Sequence, residues 1–177
     1  MLIWIIGSLA CLLFIFILLY MILPQTVEYR ETLLIDAPRE QVYDHIRLQE
    51  RLMEWSAWPE ATRSTCCVEG PDGKVGAKTV FMNKGKVFGH QEVTGLEQGR
   101  RISMTLEDSG PLKHTPHLDF ILEEAGSDRT RVTIDFRNRY HAPFHIPAQI
   151  LRLPSWVRKL HKADLQGLKR YSEAFSA

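Results

Sequence analysis

RISMTLEDSGPLKHTPHLDFILEEAGSDRTRVTIDF, residues 101–136, decides the fold. Apolar side chains fall on every second position in Ile102/Met104/Leu106, Leu118/Phe120/Leu122 and Val132/Ile134/Phe136, with polar or charged residues mostly between them. Neighbouring side chains of a strand point to opposite faces, so each run reads as a half-buried antiparallel strand. Glycine-containing breaks at 70–76, 83–85, 95–99, 109–111 and 125–128 extend the pattern to about six strands over 63–140.

Outward from this block, residues 27–35 (VEYRETLLI) are a further strand, and Asp36-Ala37-Pro38 supplies an N-cap residue and a helix-starting proline. In 38–47 the apolar positions Val42, Tyr43 and Ile46 recur at helical spacing, and a second helical piece through Leu48, Leu52, Met53 and Trp55 is expected to stop before Pro59. Tyr140 to Pro154, with its prolines and histidines, reads as an irregular connection. Residues 155–175 place Val157, Leu160, Leu168, Tyr171 and Phe175 on one face of a long amphipathic helix. Strand, two short helices, a run of strands and a long last helix together predict an α+β domain with helices on one face of an antiparallel sheet.

Residues 1–23 carry no charged side chain, and at ~1.5 Å per residue they reach roughly 34 Å, enough for a hydrocarbon core of about 30 Å. The stretch lacks the basic start and small-x-small cleavage site of a signal peptide, so residues 1–24 read as a single-pass transmembrane anchor and 27–177 as the domain behind it. Trp4 and Tyr20 stand near the two ends, where amphipathic rings prefer to sit. Arg30 and Arg39 on the C-terminal flank, with adjacent Cys66-Cys67 unable to staple distant segments, place the domain on the cytoplasmic side.

Residues 28–128 carry 12 Lys and Arg against 18 Asp and Glu, whereas 129–177 carry 10 against 3. The basic tail suits a solvated helix face or contact with anionic headgroups. Nucleic acid is not an expected partner, because the basic residues join no recognised binding motif. No Ser/His/Asp arrangement, phosphate-cradling loop or dinucleotide fingerprint is present, and no cofactor is expected. The pairs His114/His117 and His141/His145 lack metal-site geometry and read as loop residues, so no metal is expected.

Five words in order, ETLLIDAPREQVYDHI (31–46), WSAWPE (55–60), GPDGKVGAK (70–78), TRVTIDF (130–136) and GLKRYSE (167–173), resemble the START-like SRPBCC superfamily, polyketide cyclase/dehydrase type. The resemblance covers 27–175 and implies a helix-grip fold: a curved sheet around the long C-terminal helix, with an apolar cavity binding lipids, sterols or polyketides. The candidate lining is then Trp55, Trp58, Phe81, His90, Met104, Phe120, Phe136, Leu160 and Asp164. His90, beside Gly89, and Asp164, on the apolar stripe of the last helix, are the acid/base candidates. The leading expectation is a membrane-anchored binder of a hydrophobic or amphipathic small molecule such as a lipid, quinone or polyketide. The alternatives are a cyclase, dehydratase or hydrolase using the same cavity, and a membrane-tethered module holding a protein partner through the sheet or the basic helix, which an exposed apolar patch around 144–157 would favour.

Overall fold

A computed structural model describes residues 1–175. The first helix, α1 (Leu2–Ile22), is long and apolar enough to cross a membrane, and its apolar window Ile3–Ile22 is not buried against the rest of the chain. Strand β1 (Thr26–Ile35) follows at once, then three short helices, α2 (Arg39–Arg47), α3 (Gln49–Trp55) and α4 (Trp58–Thr62). Six strands come next: β2 (Thr65–Glu69), β3 (Lys78–Asn83), β4 (Lys86–Glu97), β5 (Arg101–Asp108), β6 (His114–Glu124) and β7 (Thr130–Tyr140). The described chain ends with α5 (His145–Ile150) and α6 (Leu153–Ala174).

The strands form one antiparallel sheet in the order β1-β7-β6-β5-β4-β3-β2. Consecutive strands pair as hairpins from β2 to β7, and β1 then pairs with β7 from Thr26↔Arg139 to Ile35↔Thr130. Irregularities at Phe81/Met82 and Val93/Gly95 bend the middle strands, as bulges do, and help turn the sheet around the helices. The alternation read from sequence sets the inward face: Ile102, Met104, Leu118, Phe120, Leu122, Val132, Ile134 and Phe136 all lie in one core with Val42, Ile46, Leu52, Trp55, Leu165 and Leu168.

Helix α6 crosses this face close to α3. At Gly167 an added Cβ would overlap the carbonyl oxygen of Trp55, so only glycine allows the two backbones to approach this far. Thr130 Oγ1 donates to the Ala37 carbonyl (2.7 Å), tying the entry of α2 to β7.

Several local expectations are corrected. Asp36 does not cap α2, whose N-cap is Pro38. The Asp36 N–H instead donates to Glu173 Oε1 at 2.9 Å, joining the end of β1 to the end of α6. The second helical piece stops at Trp55, before Pro59 as expected, but Pro59 then sits in the first turn of a third short helix, where no N–H is required. The stretch after Tyr140 is not irregular throughout, because α5 forms there with Pro147 in its first turns. His114 and His117 belong to β6 rather than to a loop. Pro116 is tolerated in this central strand because the β5 pairing ends at Thr105↔His117 and leaves no donor required on that side.

Candidate ligand-binding site

The groove between sheet and α6 is filled unevenly. Toward the C-terminal half of α6, helices α2 and α3 close it: Trp55 packs edge-on against Phe120 at 6.2 Å and donates its Nε1–H to the His45 carbonyl at 3.1 Å. Toward the N-terminal half, no such helix intrudes. A cavity of about 300 Å³ remains there.

Its walls come from most elements of the domain. Phe81 of β3, Phe88 of β4 and Leu106 of β5 form the sheet side, Pro116 and Phe136 the floor, and Leu153, Trp156 and Val157 of α6 the roof. Trp58 closes the α4 side, with its ring edge-on to Trp156 at 5.7 Å.

One end of this apolar space is polar. Asp108, His114, Asn138 and Tyr140 all border it. His114 Nε2 lies 2.6 Å from Asp108 Oδ2, His114 Nδ1 lies 3.3 Å from Asn138 Oδ1, and the imidazole stacks on Tyr140 with ring centres 5.4 Å apart. Asp108 Oδ1 also accepts the Gly110 N–H at 2.7 Å. The hydrogen bond from His114 and the Gly110 amide hold the Asp108 carboxyl below the usual carboxylate range, against the opposing effect of burial. The cluster follows from register: His114 opens β6 directly opposite Tyr140, which ends β7, and Asp108 ends the neighbouring β5.

Behind the Trp58 and Phe136 walls lies a second polar group. His161 is fully buried, with its ring 4.9 Å from Phe136 and 6.1 Å from Trp58. Its Nδ1 meets the Tyr29 hydroxyl at 2.9 Å, while Nε2 has no hydrogen-bond partner among the described residues. Burial pushes its pKa down to about 4, so the ring is neutral at pH 7, and the same desolvation raises that of Tyr29.

Asp164, one turn further along α6, is also buried. Its Oδ1 accepts the Ser56 hydroxyl at 3.0 Å and the Ala57 N–H at 2.7 Å, and the Trp58 side chain adds a further hydrogen bond. Desolvation outweighs these bonds and raises the carboxyl to about 7. The group therefore pins the α3–α4 turn to α6 and orients Trp58.

Trp58, Phe81, His90 and Phe136 border the cavity; Trp55, Met104, Phe120, Leu160 and Asp164 do not. Met104 and Phe120 point inward at a depth already filled by α3, where the Met104 sulfur receives Gln91 Nε2 at 2.9 Å. Leu160 is buried beneath α6 rather than in the cavity wall, and Asp164 is taken up by the α3–α4 turn. His90 alternates with the inward Gly89 and Gln91, so its ring turns to the outer face, 4.0 Å from Glu92 Oε2 and 3.9 Å from Glu107 Oε2. The structure thus does not bring His90 and Asp164 together as an acid/base pair. Cys66 and Cys67 are both half-buried and free, and burial raises the Cys66 thiol. Among the described residues no cluster of three or more His, Cys, Asp or Glu could hold a metal.

Asp108, His114, Asn138 and Tyr140 escape a reading of each segment alone. Their signal is the pairing of the two ends of a hairpin, His114↔Tyr140, together with Asp108 in the DSGP turn before it.

A curved antiparallel sheet closed on a long C-terminal helix, with an apolar cavity between them, defines the helix-grip class of α+β domains. The model of the family described as polyketide cyclase / dehydrase and lipid transport matches residues 26–173, and the chain belongs to that family. Solved structures agree on the fold. A protein from Chromobacterium violaceum is 21% identical with a TM-score of 0.61, over 85% of this chain and 98% of its own. Norcoclaurine synthase from Thalictrum flavum, in complex with dopamine and hydroxybenzaldehyde, is 11% identical with a TM-score of 0.61, over 82% and 86%. The di-domain ARO/CYC StfQ from the steffimycin biosynthetic pathway is 11% identical with a TM-score of 0.61, over 86% of this chain and 52% of its own. No curated protein matches the sequence.

Proposed function

We propose that this protein binds a hydrophobic or amphipathic small molecule, a lipid, quinone or polyketide-like compound, in the cavity under the N-terminal half of α6. Residues 1–24 anchor it in a membrane, and 27–177 form the binding domain on the cytoplasmic side. The observation that carries the reading is one apolar cavity with a single polar end. Apolar walls supply affinity at ~25 cal/mol per Å² buried, and Asp108, His114, Asn138 and Tyr140 orient a hydroxyl or carbonyl of the ligand.

At about 300 Å³ the cavity stands at the lower end of small-molecule sites. That favours one ring system or one acyl segment over an entire phospholipid. Native mass spectrometry of the full-length protein, extracted in mild detergent, tests this, with analysis of the small molecules it releases. A lipid-like compound near one per chain is expected. A protein that stays empty after extraction from membranes and soaking with lipid overturns the reading.

Catalysis of a cyclase, dehydratase or hydrolase kind is a second reading with one observation in its favour, the Asp108–His114 pair at the cavity wall. It requires that the wild-type protein chemically alter the released compound and that Asp108→Asn leave it unaltered.

A further inference from the structure

Three large apolar side chains are exposed at the corner where α5 ends and α6 begins. They are Ile150, 61% exposed, Leu151, 66% exposed, and Trp156, 42% exposed. Arg152 turns this corner in a left-handed conformation (φ 55°). Arg152 and, further along α6, Lys159 are exposed and make no ion pair among the described residues, unlike Arg158 and Lys162, which hold Glu31.

The corner is fastened to the end of α1. The Tyr20 ring, in the last turn of α1, packs edge-on against the buried His145 of α5 at 5.3 Å. Gln149 Nε2 donates to the Pro24 carbonyl at 3.2 Å, and the Tyr140 N–H to the Gln25 carbonyl at 2.9 Å. Only Leu23, Pro24 and Gln25 separate α1 from β1, and three residues reach at most ~10 Å. A 21-residue helix is about 31 Å long, so crossing a hydrocarbon core uses all of α1 and sets Tyr20 at the headgroup level. His145 and Gln149 are at that level with it.

We infer that the α5–α6 corner is a membrane-contact surface: Ile150, Leu151 and Trp156 enter the headgroup–acyl boundary of the bilayer that α1 crosses. Arg152 and Lys159 meet anionic headgroups there. The occupant of this surface is lipid. Leu153, Trp156 and Val157 also form the cavity roof, so a corner in contact with lipid sets the cavity wall beside the bilayer, where an apolar ligand could be taken up without crossing water. The inference rests on the anchor reading of α1.

The test uses the full-length chain with Cys11→Ser, Cys66→Ser and Cys67→Ser, reconstituted in phosphatidylcholine vesicles containing a minority of phosphatidylglycerol. An environment-sensitive nitrobenzoxadiazole label is placed at Leu12→Cys in α1, at Leu151→Cys in the corner, or at Val75→Cys, an exposed apolar site in the β2–β3 turn. Nitroxide-bearing lipids and aqueous iodide are the quenchers. The Leu12 label is expected to be quenched by lipid nitroxide and shielded from iodide, and the Val75 label the reverse. The Leu151 label should follow Leu12, with severalfold stronger lipid quenching than Val75, strongest for nitroxides near the headgroup.

If Leu12 is lipid-protected while Leu151 matches Val75, the corner inference fails and the anchor reading stands. A Leu151 label shielded from both quenchers means that protein covers the corner and also overturns the inference. A Leu12 label open to iodide removes the anchor reading and the corner with it.

Discussion

Replacing Asp164 by Asn should change how stability depends on pH more than it changes stability itself. The carboxyl is fully enclosed, and its pKa rises from 3.8 to about 7 because burial outweighs the bonds from Ala57, Ser56 and Trp58. A raised carboxyl means that the folded state binds the proton more tightly than the unfolded one. Stability is then lost as pH rises from the unfolded value toward the folded one, the reverse of an ordinary ion-paired aspartate. At ~1.4 kcal/mol per pH unit, titration of this one group removes roughly 2.5 kcal/mol between pH 5 and pH 8.

Asparagine keeps an acceptor for Ser56 and Ala57 but cannot titrate. The buried His161 and His45, whose depressed values add stability as pH rises, are present in both proteins and drop out of the difference. Urea unfolding of full-length protein in mild detergent, followed by tryptophan fluorescence at pH 5, 6, 7 and 8, reads the effect. Asp164→Asn is expected to start less stable than wild type at pH 5, by about 1–3 kcal/mol for an imperfect partner to Trp58. Its relative stability should improve by about 2–3 kcal/mol by pH 8. Curves that run parallel within ~0.5 kcal/mol would show that the carboxylate is solvated or already ionised at pH 5, and the account of the buried lock would be wrong.

Gly167→Ala should cost more than about 2 kcal/mol and lower Tm, because the new methyl overlaps the Trp55 carbonyl and must push α6 off α3. Leu106→Trp should fill the cavity from the sheet side and abolish retention of a bound lipid-like molecule in native mass spectra, while Tm falls by only a few degrees. Asp108→Asn should leave binding of a purely hydrocarbon probe unchanged and weaken that of a probe with a polar head, read as a ratio of Kd values. In the wild type, the stability from Asp108 should be complete above the ordinary carboxylate range and lost only as pH falls through its depressed value, a loss the variant lacks.

Much of the fold was legible because the residues that make it repeat. The period-two runs at 102–106, 118–122 and 132–136 became β5, β6 and β7 with their apolar members inward. The helical stripe of the last element was legible in part: Leu160 and Leu168 are buried, but so are His161 and Asp164, which a hydrophobic count leaves out. Asp164 was visible as a charge on the wrong face. Its partners were not, because two of its three donors belong to a turn whose backbone course is set only once α3 and α4 are placed. The cavity was least legible. Phe120 and Phe136 share one face of the sheet by alternation, yet only Phe136 borders empty space, since Trp55 already fills the volume beside Phe120. Which inward residue meets a ligand depends on side-chain volumes across three elements, and no single strand records that.

Strand register ties the cavity to one end of the molecule. Thr26 of β1 lies opposite Arg139, and His114 of β6 opposite Tyr140, so the start of β1, the start of β6 and the end of β7 share one edge of the grip. The polar cluster sits on that edge, and the N-terminal residues of α6 roof it. At the other end Ile35 faces Thr130, Thr130 holds the Ala37 carbonyl, and α2 and α3 fill the groove. The packed core and the open cavity therefore occupy opposite halves of the same groove. A truncation in the far half, at Val42, Ile46 or Leu165, opens a void in a packed core and should cost about 2–5 kcal/mol for a Leu or Ile. A truncation in the near half, at Leu106 or Val157, enlarges a space that already exists, so it should change what fits before it changes how well the protein folds. Because β1 follows α1 after only three residues, the half that can vary without unfolding the domain is the half that α1 holds in place.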